Sequence, residues 1–342
     1  MKFLIIRLSS LGDIIHSLPL VYKLRENYPD SRIDWLVGKS GFEILKLIKE
    51  LDNIYLPDIK SILDIQKQKY DYVIDVQGLL KSSVLSKLSF GRQVIGFKNT
   101  RELADVFYDI KVDAGNLFKT NHHIVDLNLR LISDLIKNSN NKIKFLIPEI
   151  NEQETPEVLN ILQTFKTKNH KLQIIVFPAT TWESKLWPVN YWFELIDKLS
   201  KDSQIYICAS NSDLKYIKPL VTKLDSVGVT YNNLIGKTSI KDLIFLIQNV
   251  NLVIGSDSFG IHLASAIKND FGSPNIIGIY GPTSLVRNGP YNSTRDCFYL
   301  SELECIACRK KKCPLGHHNC MNNIIPSHIS EKIMLNSYHG CF

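Results

Sequence analysis

The sequence predicts an α/β protein in two halves, each a parallel sheet flanked by helices. Three observations predict it. Short apolar runs alternate with longer segments of helical period along most of the chain. Small and polar residues gather directly after the apolar runs, where a strand hands over to a helix. A polar segment, "PEINEQETPEV" (148–158), interrupts the alternation near the middle with two prolines and four glutamates and reads as a linker. A length of 342 residues is enough for two domains that each bury a core.

In the first half, "FLIIRL" (3–8), "RIDWLV" (32–37), "YDYVIDV" (70–76) and "QVIGF" (93–97) read as strands. Between them, "DIIHSLPLVYKLRENY" (13–28) and "LLKSSVLSKLSF" (79–90) read as helices, the first accommodating Pro19 only with a bend or a local adjustment. In the second half the strands are "LQIIVF" (172–177), "QIYICA" (204–209), "NLVIG" (251–255) and "NIIGIYG" (275–281). Their helices are "NYWFELIDKLSK" (190–201), "SIKDLIFLIQNV" (239–250) and "SFGIHLASAI" (258–267). The expected division is a domain over 1–150, a linker region over 151–168, a second domain over 169–325 and a C-terminal tail over 326–342. Two such halves would leave a cleft at the carboxyl ends of both sheets, where open α/β sheets bind ligands.

Hydrophobic residues make up 44% and charged residues 22%, which excludes a disordered chain. The N-terminal apolar run is broken by Arg7 and is too short for a signal peptide, and no stretch reaches the length of a membrane span. The expectation is a cytoplasmic protein without its own anchor. The formal charge of +7 includes the run Arg309-Lys310-Lys311-Lys312 and suits an anionic partner. No zinc finger, aromatic-interleaved basic stripe or helix-turn-helix signal is present, so nucleic acid is not the expected partner.

Candidate chemistry lies after the strands. In "SSLGDIIHSLP" (9–19), Gly12 permits a tight turn, and Asp13 either complements the dipole of a helix capped by Ser10 or acts as a general base toward an acceptor hydroxyl. In "DVQGLLKSS" (75–83), Asp75, Gln77 and Lys81 have the chemistry to meet polar substrate groups, beside Gly78. In "FPATTWESKLWP" (177–188), the Thr180 and Thr181 hydroxyls with the Lys185 ammonium suit phosphate oxygens and the charge of a leaving diphosphate. "GSDSFGIHLASA" (255–266) offers a helix N-terminus to phosphate, with Asp257 fixing the loop or a sugar hydroxyl. Neither Gly-x-Gly-x-x-Gly nor a Walker motif is present, against a nicotinamide enzyme or a P-loop phosphotransferase.

Seven cysteines, an odd number, argue for reduced thiols. Cys305, Cys308, Cys313 and Cys320 are spaced C-x2-C-x4-C-x6-C, compact enough to wrap one tetrahedral zinc; reduced cysteines packed in a loop-rich tail are the alternative.

Taken in order, "SSLGDIIHSLP", "YDYVIDVQGLLKS", "NTREL" (99–103), "PATTWESKLWP", "GKTSIKDL" (236–243), "SDSFGIHLASA" and "YGPT" (280–283) resemble the lipopolysaccharide heptosyltransferases. The resemblance implies a GT-B fold of two Rossmann-like domains, with acceptor bound mainly by the first and nucleotide-sugar by the second. It implies an inverting transfer of heptose from ADP-L-glycero-β-D-manno-heptose that needs no cofactor or metal, with Asp13 as base. Ser10, Gly12, Gln77, Lys81 and Arg101 would serve the acceptor. Thr180, Thr181 and Lys185 would hold the diphosphate, Asp213 the ribose, and Thr238 would lie beside the adenine. Asp257, Ser258, Gly260 and His262 would line the heptose and phosphate pocket.

The acceptor implied is anionic Kdo-lipid A at the cytoplasmic face of the inner membrane, with peripheral membrane contact. The first-half motifs and the tryptophan of "IDWLV" are closer to the heptosyltransferase that adds the first heptose; the cysteine-rich tail resembles the second. The family's last motif usually carries glycine where Phe259 stands, with Gly260 next. Ala209 likewise stands where a glycine is common. A GT-B sugar-nucleotide epimerase and a non-catalytic two-domain sugar-binding protein are the alternative readings.

Overall fold

The computed structural model describes residues 1–137, 140–156, 158 and 172–338. The chain divides into two compact units, Met1–Pro148 and Glu149–Phe342.

The first unit is built on β1 (Lys2–Ile6), β2 (Arg32–Leu36), β3 (Asn53–Tyr55), β4 (Tyr72–Asp75), β5 (Gln93–Phe97) and β6 (Ile110–Val112). They form one parallel sheet in the order β3-β2-β1-β4-β5-β6. The chain therefore winds outward from β1, returns to the middle at β4 and winds outward the other way, which is the doubly wound Rossmann order. Phe3, Leu4, Ile5 and Ile6 of β1 are fully buried, as a central parallel strand covered on both faces must be.

The second unit repeats the plan with β7 (Leu172–Phe177), β8 (Ser203–Ile207), β9 (Asn232–Asn233), β10 (Leu252–Ser256), β11 (Asn275–Tyr280) and β12 (Phe298–Tyr299). Its order, β12-β11-β10-β7-β8-β9, is the same winding pattern. The eight strands expected from the sequence are present. The four additional ones, β3, β6, β9 and β12, are all sheet edges of two or three residues.

Three expectations are corrected. The segment 13–28 is two helices, Leu11–Ile15 and Leu18–Asn27, rather than one bent helix. Pro19 lies in the first turn of the second, where a missing N–H costs no helical hydrogen bond. The expected linker begins as part of the second unit: Ile150 is buried and its N–H donates to Gln248 Oε1 at 3.2 Å, while Glu154 pairs with Lys241 at 2.6 Å. Of the expected linker, residues 157 and 159–168 lie outside the described residues. The expected tail carries the helix Pro326–Tyr338, whose Ile329 and Ile333 join the core of the second unit; Cys341 lies outside the described residues. No helix among the described residues is long and apolar enough to cross a membrane.

Candidate active site

A doubly wound sheet leaves a crevice where its winding reverses, beyond the carboxyl ends of the two central strands. In the first unit those strands are β1 and β4, followed by Ser9–Asp13 and Val76–Lys81; in the second they are β7 and β10, followed by Pro178–Lys185 and Asp257–Ser258. The polar motifs of each half thus stand at its switch point.

In the first unit, Asp13 lies in the short helix after β1, one-third exposed. Arg7 Nη2 stands 2.7 Å from Asp13 Oδ2, and the N–H and hydroxyl of Ser10 donate to the same oxygen at 3.2 and 2.8 Å. No described residue donates to Oδ1. Partial burial pushes the Asp13 carboxyl up, but the Arg7 guanidinium, His16 and the two Ser10 bonds outweigh it and hold the group well below the usual carboxylate range. Asp13 thus closes the turn through Oδ2 alone.

Gln77 braces that turn from β4, its Oε1 accepting from the N–H groups of Leu8 and Ser9 at 2.7 and 3.3 Å. Asp75 is fully buried and accepts from Gln77 N, Gly78 N and the Tyr108 hydroxyl, so it is internal scaffolding and not a substrate contact. Gly78 takes a φ of 66°. Lys81 and Arg101 are exposed, and the Arg101 guanidinium lies 4.3 Å from the centre of the Phe118 ring. Gly12 is buried in the turn.

In the second unit Asp257 is a buried hub. Lys185 Nζ stands 2.7 Å from its Oδ2, His262 Nε2 is 2.9 Å from its Oδ1, and the Thr283 hydroxyl donates to Oδ2 at 2.6 Å. Burial alone would raise the Asp257 pKa, but Lys185 and His262 hold it well below the usual range. Thr180 is buried with its hydroxyl 3.5 Å from the Asp257 carbonyl, and Thr181 is exposed. Ser258 holds the N-cap position of the helix Phe259–Phe271 without a side-chain capping bond, and the hydroxyls of Ser256 and Ser258 are buried without a hydrogen-bond partner. Both hydroxyls flank Asp257, the residue that Lys185 pairs with.

Gly260 packs closely: a Cβ there would stand 2.6 Å from the Phe177 ring, so packing of the helix on β7 requires glycine. Phe259, the residue in the family's glycine position, is half-buried at the helix start. Asp213 accepts from Ser210 N and Oγ at 3.3 and 2.6 Å after β8, and Thr238 is half-buried after β9. The two turns touch: a Cβ on Gly236 would collide with the Asn211 side chain.

Cys305, Cys308, Cys313 and Cys320 are free thiols. Burial and the proximity of the other three push the Cys320 thiol up to about 11. Among the described residues no three His, Cys, Asp or Glu side chains are grouped to hold a metal ion. The segment packs its backbone against the loops around Asp257: Ala307 N donates to Gly281 O at 3.1 Å and Arg309 N to Pro282 O at 2.8 Å. Thr283, Arg7 and this packing were not anticipated as site features; "YGPT" was the one signal for the first.

Two doubly wound sheets with ligand loops at their switch points are the plan of a GT-B protein. The family model of glycosyltransferase family 9 (heptosyltransferase) matches residues 60–319. The chain belongs to that family and is a glycosyltransferase. It is 28% identical over 307 residues to lipopolysaccharide heptosyltransferase 1 of Campylobacter coli, covering 84% of this chain and 86% of the relative. It is 23% identical over 327 residues to lipooligosaccharide heptosyltransferase 2 of Campylobacter jejuni, covering 94% of each. The solved structure of ADP-heptose lps heptosyltransferase II of E. coli superposes with a TM-score of 0.78 at 19% identity, covering 98% of both chains.

Proposed function

We propose that this protein transfers L-glycero-D-manno-heptose, with inversion, from ADP-heptose to the Kdo-lipid A inner core of lipopolysaccharide, adding the first heptose. The observation that carries the reading is the pair of buried hydroxyls that flank Asp257, Ser256 at the end of β10 and Ser258 at the helix N-cap, with Lys185 paired to the Asp257 between them. A leaving diphosphate needs this set: N–H groups, hydroxyls and one ammonium aimed at growing negative charge. Thr180 and Thr181 extend it, His262 shares Asp257 with Lys185, and Asp213 and Thr238 serve the nucleoside. The ADP-heptose named for the E. coli structure supports the donor, and the lipopolysaccharide enzymes among the relatives support the acceptor class.

In the reaction, Asp13 Oδ1 takes the proton of the acceptor hydroxyl as its oxygen bonds to the anomeric carbon. The bond from that carbon to the diphosphate oxygen breaks, and its electron pair leaves with ADP beside Lys185. One in-line displacement inverts the centre and needs one base. Ser10 and Gln77 hold the Asp13 turn in place, and Lys81 and Arg101 are exposed cations for an anionic acceptor.

The reading puts the protein at the cytoplasmic face of the inner membrane, in peripheral contact with lipid. Support comes from the exposed apolar side chains Ile59, Leu63, Leu88, Phe90 and Leu103 of the first unit. They accompany the helices Ile59–Gln68 and Leu80–Leu88, which carry Lys60, Lys67, Lys81 and Lys87 against the single carboxylate Asp64. Exposed apolar residues among lysines suit an anionic bilayer surface.

Mass spectrometry of ADP-heptose incubations with Kdo-lipid A, and separately with its mono-heptosylated product, tests the reading. A heptose mass added to Kdo-lipid A alone is expected. Addition only to the mono-heptosylated product would move the protein to the second step, and no addition to either would sink the reading.

A further inference from the structure

The cysteine-rich segment grips one residue of the Thr180–Lys185 loop at three points. Ser184 is buried, and its N–H donates to Lys311 O at 3.0 Å while its hydroxyl donates to Lys310 O at 2.5 Å. The Ser184 carbonyl lies 2.6 Å from His318 Nε2, which must carry the proton for the contact to be a hydrogen bond. Both the neutral Nε2–H tautomer and the imidazolium satisfy that bond. The next residue is Lys185, whose ammonium stands on Asp257.

His318 is held for this contact. Its φ is 53°, in the left-handed region that a bulky side chain occupies only where its surroundings fix it, and its carbonyl accepts from Met321 N and Asn322 N at 3.0 Å each. The neighbouring Lys312–Glu183 pair, at 3.3 Å, is largely exposed on both sides and holds little. The same segment is hydrogen-bonded to Gly281 and Pro282, directly before Thr283, the second donor to Asp257 Oδ2. One piece of chain thus ties together the two loops that meet at the buried carboxylate.

We propose that His318 is a positioning residue for donor binding: it fixes the Ser184 carbonyl and thereby the place where Lys185 meets the donor diphosphate. The proposal rests on the reading of Lys185 as a diphosphate ligand. It gives the cysteine-rich segment a task in catalysis that none of its thiols performs directly. His318 contacts the Ser184 carbonyl, so in this proposal its loss acts through Lys185.

The test compares His318→Ala, His318→Asn and His318→Gln with the parent enzyme. Alanine removes the donor and asparagine is too short to reach the carbonyl; both are expected to raise the KM for ADP-heptose about tenfold, the worth of one hydrogen bond. The kcat is expected to stay within about twofold and the acceptor KM to stay unchanged, while glutamine, whose amide N–H reaches the carbonyl, recovers most of the loss. Hydrogen exchange of the peptide 180–186, measured without donor, is expected to quicken in the alanine and asparagine variants and to return toward the parent rate with glutamine. Equal exchange in all four proteins overturns the role of His318. So does an unchanged donor KM, or a parallel loss of kcat, both KM values and Tm that glutamine does not rescue. If the alanine variant does not fold, the asparagine and glutamine variants decide the matter. A parent enzyme that does not turn over ADP-heptose sinks the functional reading instead, and the exchange result still judges His318.

Discussion

Arg7 and Asp13 meet on a single oxygen. The guanidinium stands 2.7 Å from Asp13 Oδ2, Ser10 donates twice to the same atom, and Oδ1 keeps no described donor. A carboxylate bound on one side is oriented on the other, which is the condition for proton abstraction without a search for geometry.

Asp13→Asn keeps the shape and removes the basic oxygen. The kcat is expected to fall by about 10²–10⁴, with the Kd for ADP-heptose unchanged by calorimetry. Full activity in this variant would falsify the base assignment.

The low pKa of Asp13 fixes the sense of its pH dependence. The base must be ionised, and Arg7 keeps it ionised well below the usual range, so Asp13 contributes no acid limb to kcat/KM between about pH 5 and 8. Arg7→Met removes the main attraction holding the proton off. Its acid limb is expected to move upward, toward or above the ordinary carboxylate value of about 4. A profile superposable on the parent's, measured down to the limit of folding, contradicts the Arg7 role.

Lys185 and Asp257 form a buried pair, so removing the lysine leaves the buried carboxylate with only His262 and Thr283. Lys185→Met is expected to cost about 3 kcal/mol in denaturant unfolding and to raise the donor KM. The double variant Lys185→Met, Asp257→Asn is expected to be more stable than the lysine variant alone, because the buried carboxylate that lost its ammonium is gone. The folded-state pKa of Asp257 is depressed, so its contribution to stability is present above the ordinary aspartate range and disappears as pH falls through the lower folded value. An additive double variant would show that the pair is not coupled.

Gly260→Ala places a methyl group 2.6 Å from the Phe177 ring. A loss of about 1–3 kcal/mol is expected, with much of it restored by Phe177→Leu. Wild-type stability in Gly260→Ala would show that the helix shifts freely on β7.

Much of the fold is legible in the chain because central parallel strands are covered on both faces. Runs such as Phe3–Ile6 and Ile174–Phe177 then stand out as unbroken apolar stretches. The edge strands β3, β6, β9 and β12 have no such run; Asn232-Asn233 pairs with β8 only because the sheet supplies a neighbour. The break between Ile15 and Leu18 is equally hidden, since both helices keep apolar residues toward the same core.

In the site, residue types at strand ends marked Asp13, Lys185 and Asp257, because loops at those ends are where a parallel sheet has no neighbour to bury them. Their partners did not show. Arg7 looks like an interruption of an apolar strand, Thr283 like part of a turn, and no neighbour of Gly260 in the chain announces the Phe177 ring that packs on it.

The sequence by itself determined the alternation of strands and helices, and with it the two parallel sheets and the loops that carry chemistry, because periodicity and local turn preference act over a few neighbouring residues. Only the tertiary structure decided which oxygen of Asp13 is free, that Lys185 and Asp257 are paired, and that a segment more than a hundred residues away holds Ser184. Those relations are set by through-space contact between distant stretches of chain, and no local pattern encodes a distance.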